Sequence, residues 1–234
     1  MELRILGCDG SYPGPNGACS SYLAEDGDTA LLLDLGCGAL PRLMAHRDPA
    51  SLAGVVITHW HFDHASDVLG LQYYLLLHKK RLTVYSPGEE HPLKSLLSRE
   101  QFDLLDLEGA PSIGGFRVKA LRVDHPTPAC AVRLEAGGKS VVYTGDTASR
   151  GGLMEFCAGT DLLVCDAAFT SAQWHEKAPH MSAAQAGALA RDCGAKRLVL
   201  THFPPGSDRE TLLAEGQAQF PGAVAASPGL TVRV

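Results

Sequence analysis

Several things are scarce in this chain. No stretch of its 234 residues comes near the roughly 20 consecutive apolar positions a bilayer-crossing helix needs, and Met1-Glu2-Leu3-Arg4-Ile5 leads into a strand-like segment instead of a signal peptide. A cytoplasmic protein without membrane attachment is expected. Cysteine is too dispersed for a covalent framework. Cys8, Cys19, Cys37, Cys130, Cys157, Cys165 and Cys193 form an odd set with no Cys-x-x-Cys, which excludes a disulfide scaffold or zinc ribbon and predicts reduced thiols. Cys8 and Cys37 lie in Gly-rich loops, yet small buried apolar residues are the reading for all seven. Basic charge is also short. With 20 basic against 26 acidic side chains the net charge is −6, and no cluster exceeds Lys79-Lys80-Arg81, a sequence suited to a helix end. A surface built to neutralise many phosphates is therefore not expected. Nothing low-complexity or Pro-rich interrupts the chain, so residues 1–234 read as one domain without a linker.

What is present is an alternation of short apolar runs with helical patterns. Leu3 to Leu6 reads as a strand, and Ser20 to Ala24 with Thr29 to Asp34 as a hairpin turning at Glu25-Asp26-Gly27-Asp28. Gly36 to Arg47 is a loop entering a helix, Val55 to Thr58 a buried strand, and Asp67 to Lys80 a helix with Asp67 as N-cap. Leu82 to Tyr85 is a strand, Glu89 to Ser98 a helix, and Phe102 to Leu107 and Phe116 to Val123 are two further strands. Cys130 to Glu135 and Ser140 to Tyr143 flank Gly137-Gly138, a two-residue hairpin signal. Leu162 to Cys165 and Leu198 to Leu200 are apolar runs, with an Ala-rich helix at Ser182 to Asp192 between them. Asp208 to Gln219 is the last helix and Leu230 to Val234 the closing strand. The alternation predicts an α/β protein. It also echoes itself: Leu31 to Gly36 and Val141 to Asp146 are strands running into a carboxylate, and Thr58-His59 and Thr201-His202 are matching strand ends. Two related halves with converging strand ends would bring these residues to one rim.

Thr58-His59-Trp60-His61-Phe62-Asp63-His64 packs three imidazoles and a carboxylate into one loop directly after Gly54-Val55-Val56-Ile57. Neutral imidazole suits zinc, iron and manganese, and Asp adds a hard oxygen donor, so four such side chains on one loop serve two cations better than one. Further candidates each follow a strand: His125 in Asp124-His125-Pro126, Asp146 in Gly145-Asp146-Thr147, and His202 in His202-Phe203-Pro204. The absent side chain of Gly145 lets the backbone bend toward the site. Asp34 is a candidate acceptor from a ligating imidazole. Gly36 and Gly38 are weak candidates for phosphate contact through backbone N–H groups. His46, His78, His91 and His175 lack company and read as surface residues.

His-x-His-x-Asp-His, then a lone His, then Gly-Asp-Thr, then a final Thr-His resembles the metallo-β-lactamase superfamily over almost the whole chain. That resemblance implies a four-layer αβ/βα sandwich of two pseudo-duplicated halves. It implies His59, His61 and His125 on a first metal, Asp63, His64 and His202 on a second, and Asp146 bridging both. Zinc is the expected metal, with manganese or iron as alternatives. Asp34-Leu35-Gly36-Cys37-Gly38, Asp166-Ala167-Ala168-Phe169 and His180-Met181-Ser182 resemble the ribonuclease Z and cyclic phosphodiesterase branch. Lactonases and thioesterases of the superfamily carry Thr-Pro-Gly-His around the third metal His, where this chain reads His125-Pro126-Thr127-Pro128. In the phosphodiesterase group the residues matching His180 and Asp166 assist leaving-group departure, and an imidazole held by a carboxylate is suited to general-acid work near neutral pH. Asp63, His180 and Asp166 are thus the expected catalytic residues. Phe169 and Trp174 flank the stretch leading to His180 and are candidates for stacking on a base.

The expected activity is metal-dependent hydrolysis of a small or cyclic phosphodiester. Endonucleolytic tRNA 3′ processing is the alternative. The long tRNA-binding arm of that group is missing here, since only a hairpin separates His125 from Asp146, and nucleic acid is not the expected partner. Ester, thioester or lactone hydrolysis uses the same chemistry and stays open. Relatives in this group are often dimers, so a homodimer is compatible with the resemblance.

Overall fold

The computed structural model describes residues 1–110 and 112–234. In the first half, strands β1 (Glu2–Gly7), β2 (Ser21–Asp26), β3 (Thr29–Leu33), β4 (Gly54–Val56), β5 (Leu82–Ser86) and β6 (Phe102–Asp106) lie side by side in chain order. β1, β2 and β3 run antiparallel, and β3 to β6 run parallel with helices in the crossovers. Those helices are α1 (Leu40–His46), the single turn α2 (Phe62–Ala65), α3 (Val68–His78) and the short α4 (Pro92–Ser95).

The second half repeats the plan. β7 (Ser112–Ile113), β8 (Phe116–Val123), β9 (Ala129–Ala136) and β10 (Lys139–Tyr143) are antiparallel, then β10, β11 (Leu162–Asp166), β12 (Leu198–Thr201) and β13 (Ala223–Ala225) are parallel. Its helices are α5 (Leu153–Phe156), α6 (Ala183–Asp192) and α7 (Arg209–Gln219). The last strand, β14 (Thr231–Arg233), returns to the first sheet beside β1, so each sheet has seven strands.

β3 shows how the layers arise. Leu31 and Leu33 belong to the cluster between the sheets, with Tyr22, Val132, Leu134 and Val141, while Leu32 faces outward with Leu43, Val68, Leu71 and Leu75 of α1 and α3. Alternate side chains thus reach opposite faces, and a run apolar at every position is buried on both. Leu189 of α6 and Leu212 of α7 cover the second sheet's other face. The result is the four-layer αβ/βα sandwich expected from the sequence.

The echo needs one correction. By strand order β3 corresponds to β10, as expected, but β4 corresponds to β11 and β5 to β12. Thr201-His202 therefore stands one strand beyond the position equivalent to Thr58-His59, because the two Thr-His pairs match in sequence and not in topology. Asp67 departs too: its side chain makes no cap bond to α3 but accepts from Leu40 N at 2.9 Å, at the start of α1. Asp208 and Ser182 do cap α7 and α6, the latter with a full capping box completed by Gln185. Helix α4 keeps four residues of the longer helix expected at Glu89 to Ser98, and the short α2 and α5 and strands β7 and β13 had no sequence signal strong enough to read. The Gly137-Gly138 turn has φ of 56° and 72°, the left-handed pair that a tight hairpin requires. All seven cysteines are free, and six are buried; Cys37 is exposed, against the expectation of burial.

Asp161, between α5 and β11, ties the second sheet's parallel strands at the end remote from Asp166. It accepts from Ser140 N at 2.9 Å and Lys196 Nζ at 2.7 Å, and the Lys196 bond holds its carboxyl down at about 2. A folded-state value below the unfolded one of about 3.9 means that the carboxylate stabilises the fold above that pH and stops doing so as pH falls through about 2. Lys196 is 66% exposed, so solvent screens the pair. Asp161→Asn is expected to lower stability by about 1 kcal/mol at neutral pH, read as a urea midpoint. The gap to wild type should close between pH 4 and 2; a gap constant over that range would assign the effect to something other than the charge.

Candidate metal centre

Strand β4 ends where Asp34 takes over its hydrogen bonding. Thr58 donates through its backbone N to Asp34 Oδ1 at 2.7 Å and through its hydroxyl to Oδ2 at 2.8 Å, which turns the chain out of the sheet at the start of the imidazole-rich loop. His59 and His61 leave that loop before the turn α2 brings Asp63 and His64 inward, both buried. Gly36 makes the approach possible: a Cβ there would lie 2.0 Å from the Asp63 carbonyl oxygen. Its N–H is bonded to Ser20 O at 3.1 Å, so the suggested phosphate contact through Gly36 does not hold.

The second half supplies one residue per strand end. His125 follows β8, Asp146 follows β10, Asp166 closes β11 and His202 follows β12, with His180 just ahead of α6. Gly145 has φ of 57° and packs against Thr58 and the Cys130 carbonyl, which turns Asp146 into the centre. His59 Nε2 and His61 Nδ1 are 3.1 Å apart, His61 Nδ1 and His125 Nε2 3.2 Å, and His59 Nε2 and Asp146 Oδ2 3.6 Å. On the other side of Asp146, His64 Nε2 is 3.2 Å from Oδ2 and His202 Nδ1 is 3.3 Å from Oδ1, while Asp63 Oδ2 lies 3.7 Å from His64 Nε2. The structure thus brings together two donor sets able to hold metal, His59/His61/His125/Asp146 and Asp63/His64/Asp146/His202, that share Asp146. His180 and Asp166 form a third group with it.

Proton positions argue that these atoms fit a cation. His64 Nδ1 is 2.7 Å from Asp34 Oδ2 and His125 Nδ1 is 3.3 Å from the Pro179 carbonyl. Each therefore donates outward and turns the lone pair of Nε2 into the cluster. His64 Nε2 and Asp146 Oδ1 are both buried without a hydrogen-bond partner, an arrangement that costs on the order of 1–3 kcal/mol per atom unless something fills the space between. Burial and the neighbouring His64, His125 and His61 hold His59 well below its usual pKa despite Asp146, and His61 and His125 are lowered mainly by burial. Burial also opposes a proton on His64, but Asp146 and Asp34 overcome it and raise its pKa. Asp146 is held far below the carboxylate range, with burial outweighed by His202, His64 and His59. Burial that disfavours a proton on His59, His61 and His125, beside an ionised Asp146, suits these groups to a divalent cation.

Beside this cluster, Asp166 Oδ2 accepts from His180 Nδ1 at 3.0 Å and from Thr147 N at 3.1 Å. Burial opposes protonation of His180, and Asp166 outweighs it to bring the pKa to about 9. His180 lines a cleft of about 330 Å³ with His61, Asp63, His125, Asp146 and His202. The Phe169 ring stands edge-on to His180, centroids 5.9 Å apart, and so packs on the imidazole instead of opening toward a base. Trp174 does not line the cleft. Ser11 and Tyr143 have site roles that sequence reading missed: Ser11 N donates to Asp63 Oδ2 at 2.6 Å, and Tyr143 Oη donates to Asp34 Oδ2 at 2.9 Å. Nothing local marks them.

The fold and donor sets are those of a metallo-hydrolase. Residues 30–203 match the Beta-lactamase superfamily domain model, and the chain belongs to that superfamily. A Mycobacterium tuberculosis protein is 32% identical over 242 aligned positions, covering 96% of this chain and 88% of the relative. The probable metallo-hydrolase YhfI of Bacillus subtilis is 31% identical over 96% of both chains, and its crystal structure superposes with a TM-score of 0.94 over 99% of this chain and 98% of that one. A ribonuclease Z of Methanopyrus kandleri is 29% identical over 100% of this chain and 98% of its own. A PhnP-family diphosphatase structure shares the fold, with 21% identity and a TM-score of 0.78 over 100% of this chain and 97% of that one. The chain is accordingly a metal-dependent hydrolase. Among the described residues, no helix is long and apolar enough to cross a membrane.

Asp34→Asn tests the positioning of His64, because the amide keeps the shape, loses the charge and replaces one of the two acceptor oxygens by an NH2 donor. Metal affinity, measured by competition with a chromogenic chelator, should fall about 10- to 100-fold. An unaltered affinity would remove Asp34 from the account of the site.

Proposed function

We propose that this chain is a dinuclear metal-dependent phosphodiesterase acting on a small or cyclic phosphodiester. His59, His61 and His125 would hold one cation, Asp63, His64 and His202 the other, and Asp146 both. Zinc is favoured by the imidazole-rich donors, with manganese or iron also suited. Two such ions supply Lewis acidity to the phosphoryl oxygens and a nucleophile from water near neutral pH. The observation that carries the reading is His180 with its Nδ1 committed to Asp166, at the wall of the cleft that Asp146 floors. Its Nε2 proton is then available to the leaving oxygen: the P–O bond breaks, the alkoxide takes that proton, and the oxygen of water completes the phosphate. Asp166 fixes the tautomer, and Thr147 N fixes Asp166. Asp63 is anchored by Ser11 N through Oδ2, the oxygen that also faces His64 Nε2 at 3.7 Å and His202 Nε2 at 3.9 Å. A single soluble, cytoplasmic domain fits this role.

The likeness to ribonucleases Z favours tRNA 3′ processing as the second reading. It is the weaker one. The alignment with the Methanopyrus kandleri ribonuclease Z runs over 275 positions against 234 residues here, so that relative has segments with no counterpart in this chain. Between His125 and Asp146 only the β9–β10 hairpin intervenes, and the net charge is −6. Ester or lactone hydrolysis has less need of a protonated leaving-group donor such as the His180–Asp166 pair.

Zinc- or manganese-loaded protein should hydrolyse an aryl phosphodiester. Asp146→Ala should lose metal and turnover together. His180→Ala should keep its metal while kcat falls about 10²- to 10⁴-fold on alkyl leaving groups, and less on nitrophenolate, which departs unprotonated. Equal losses on both leaving groups would refute the acid role, and absent turnover on any diester would refute the activity.

A further inference from the structure

The loop after β1 touches two residues of the donor set Asp63/His64/Asp146/His202. Ser11 N donates to Asp63 Oδ2 at 2.6 Å, and Gly10 lies so close to His202 that a Cβ there would stand 2.8 Å from the imidazole Nε2. Gly10 N donates to Phe203 O and Phe203 N to Cys8 O, each at 2.9 Å, so this loop and the residue after His202 are locked together. His59, His61 and His125 have their polar neighbours elsewhere: the Thr58 hydroxyl, one another and the Pro179 carbonyl. Ser11 has a φ of 64°, a value its surroundings must impose.

What imposes it starts at Asp9, which is 3% exposed. Its Oδ2 accepts from Gly14 N at 2.9 Å and folds the loop back on itself, and a Cβ at Gly17 would stand 1.9 Å from that oxygen. Its Oδ1 accepts from Arg209 Nη2 at 2.6 Å, and among the described residues Arg209 is the one cation paired with it. Arg209 opens α7, and its guanidinium also lies 5.0 Å over the Phe203 ring. One side chain thus bears on residue 9, two positions before Ser11, and on residue 203, next to His202. A buried carboxylate deprived of its cation is drawn toward water, and Gly10 and Ser11 would move with it.

We infer that Asp9 and Arg209 are positioning residues for the second cation, setting Asp63 and His202 through Ser11 and Gly10 and leaving the ligands of the first cation alone. This rests on the dinuclear reading and deepens it.

The test reads metal affinity and so does not depend on turnover. Metal-stripped protein is titrated with zinc against a chromogenic chelator, and His202→Ala and His125→Ala identify which binding step belongs to which site. Arg209→Met, which keeps an apolar stem on Phe203, should weaken the step lost in His202→Ala about 10- to 100-fold and leave the other step as in wild type. Arg209→Lys should recover most of the loss. Thermal melting checks the fold, and if Arg209→Met does not fold, the double variant Asp9→Asn/Arg209→Met, with no charge left unpaired, should show the same selective loss. Both steps weakened alike, or neither, would overturn the inference while leaving two cations in place. A wild type that takes up a single zinc ion would overturn it together with the dinuclear reading.

Discussion

A carboxylate with no solvent exposure is tolerable only where donors surround it, and Asp34 is such a residue at the junction of the two sheets. Thr58 gives it a backbone N–H and a hydroxyl from the end of β4, His64 gives Nδ1 from α2, and Tyr143 gives its hydroxyl from β10 of the opposite sheet. One side chain therefore ends a strand, fixes a tautomer and links the halves of the molecule. Remove its charge and the lone pair of His64 Nε2 has no reason to face the cluster. The active-site geometry depends on this contact more than on any bond within the donor sets.

The donor cluster itself is a liability without a cation. Nitrogen lone pairs converge at 3.1 and 3.2 Å, and a buried carboxylate oxygen finds no donor. Such a centre has to be held open by the scaffold, and the pinning contacts are visible: Thr58 hydroxyl at 3.2 Å from His59 Nδ1, the Pro179 carbonyl at 3.3 Å from His125, the Ser20 hydroxyl at 3.3 Å from His202. Binding energy that would otherwise be spent on arranging ligands is then available to hold the ion. The same scaffold uses unusual backbone. Ser11, Asp34 and His202 have φ of 64°, 57° and 63°, left-handed values that a non-glycine residue adopts only when its surroundings impose them. All three lie at the cleft or directly behind it.

How far the sequence alone reaches follows from the range of the interactions involved. Strands β3, β4, β11 and β12 are apolar except at their ends, where Thr29, Asp166 and Thr201 stand, because both faces are covered, and that signal is local. The loop His59–His64 is legible for the same reason, since its donors are contiguous. The echo of the two halves suggests the meeting of Asp146 and His202 with that loop, whereas the place of His125 beside them came from the resemblance, because contacts between distant positions leave no local trace. Asp34 is legible only as a candidate acceptor, because a carboxylate at a strand end also serves as a cap. Asp67 was misread because its carboxylate serves a helix that precedes it in the chain, and Gly36 because a glycine beside a helix suggests anion binding when the actual constraint is the carbonyl of Asp63. Ser11 and Tyr143 had no pattern to betray them.

The duplication explains the division of labour. β4 and β11 occupy equivalent places in the two sheets, yet the end of β4 leads into three imidazoles and a carboxylate, whereas the end of β11 presents Asp166, bonded to His180. The equivalent of β12 in the first half, β5, ends at Ser86 and sends no donor to the centre. The two copies of one plan thus differ in how they supply the centre: the first sends four donors from the single loop after β4, and the second sends His125, Asp146 and His202 from three separate strand ends and adds the Asp166–His180 pair.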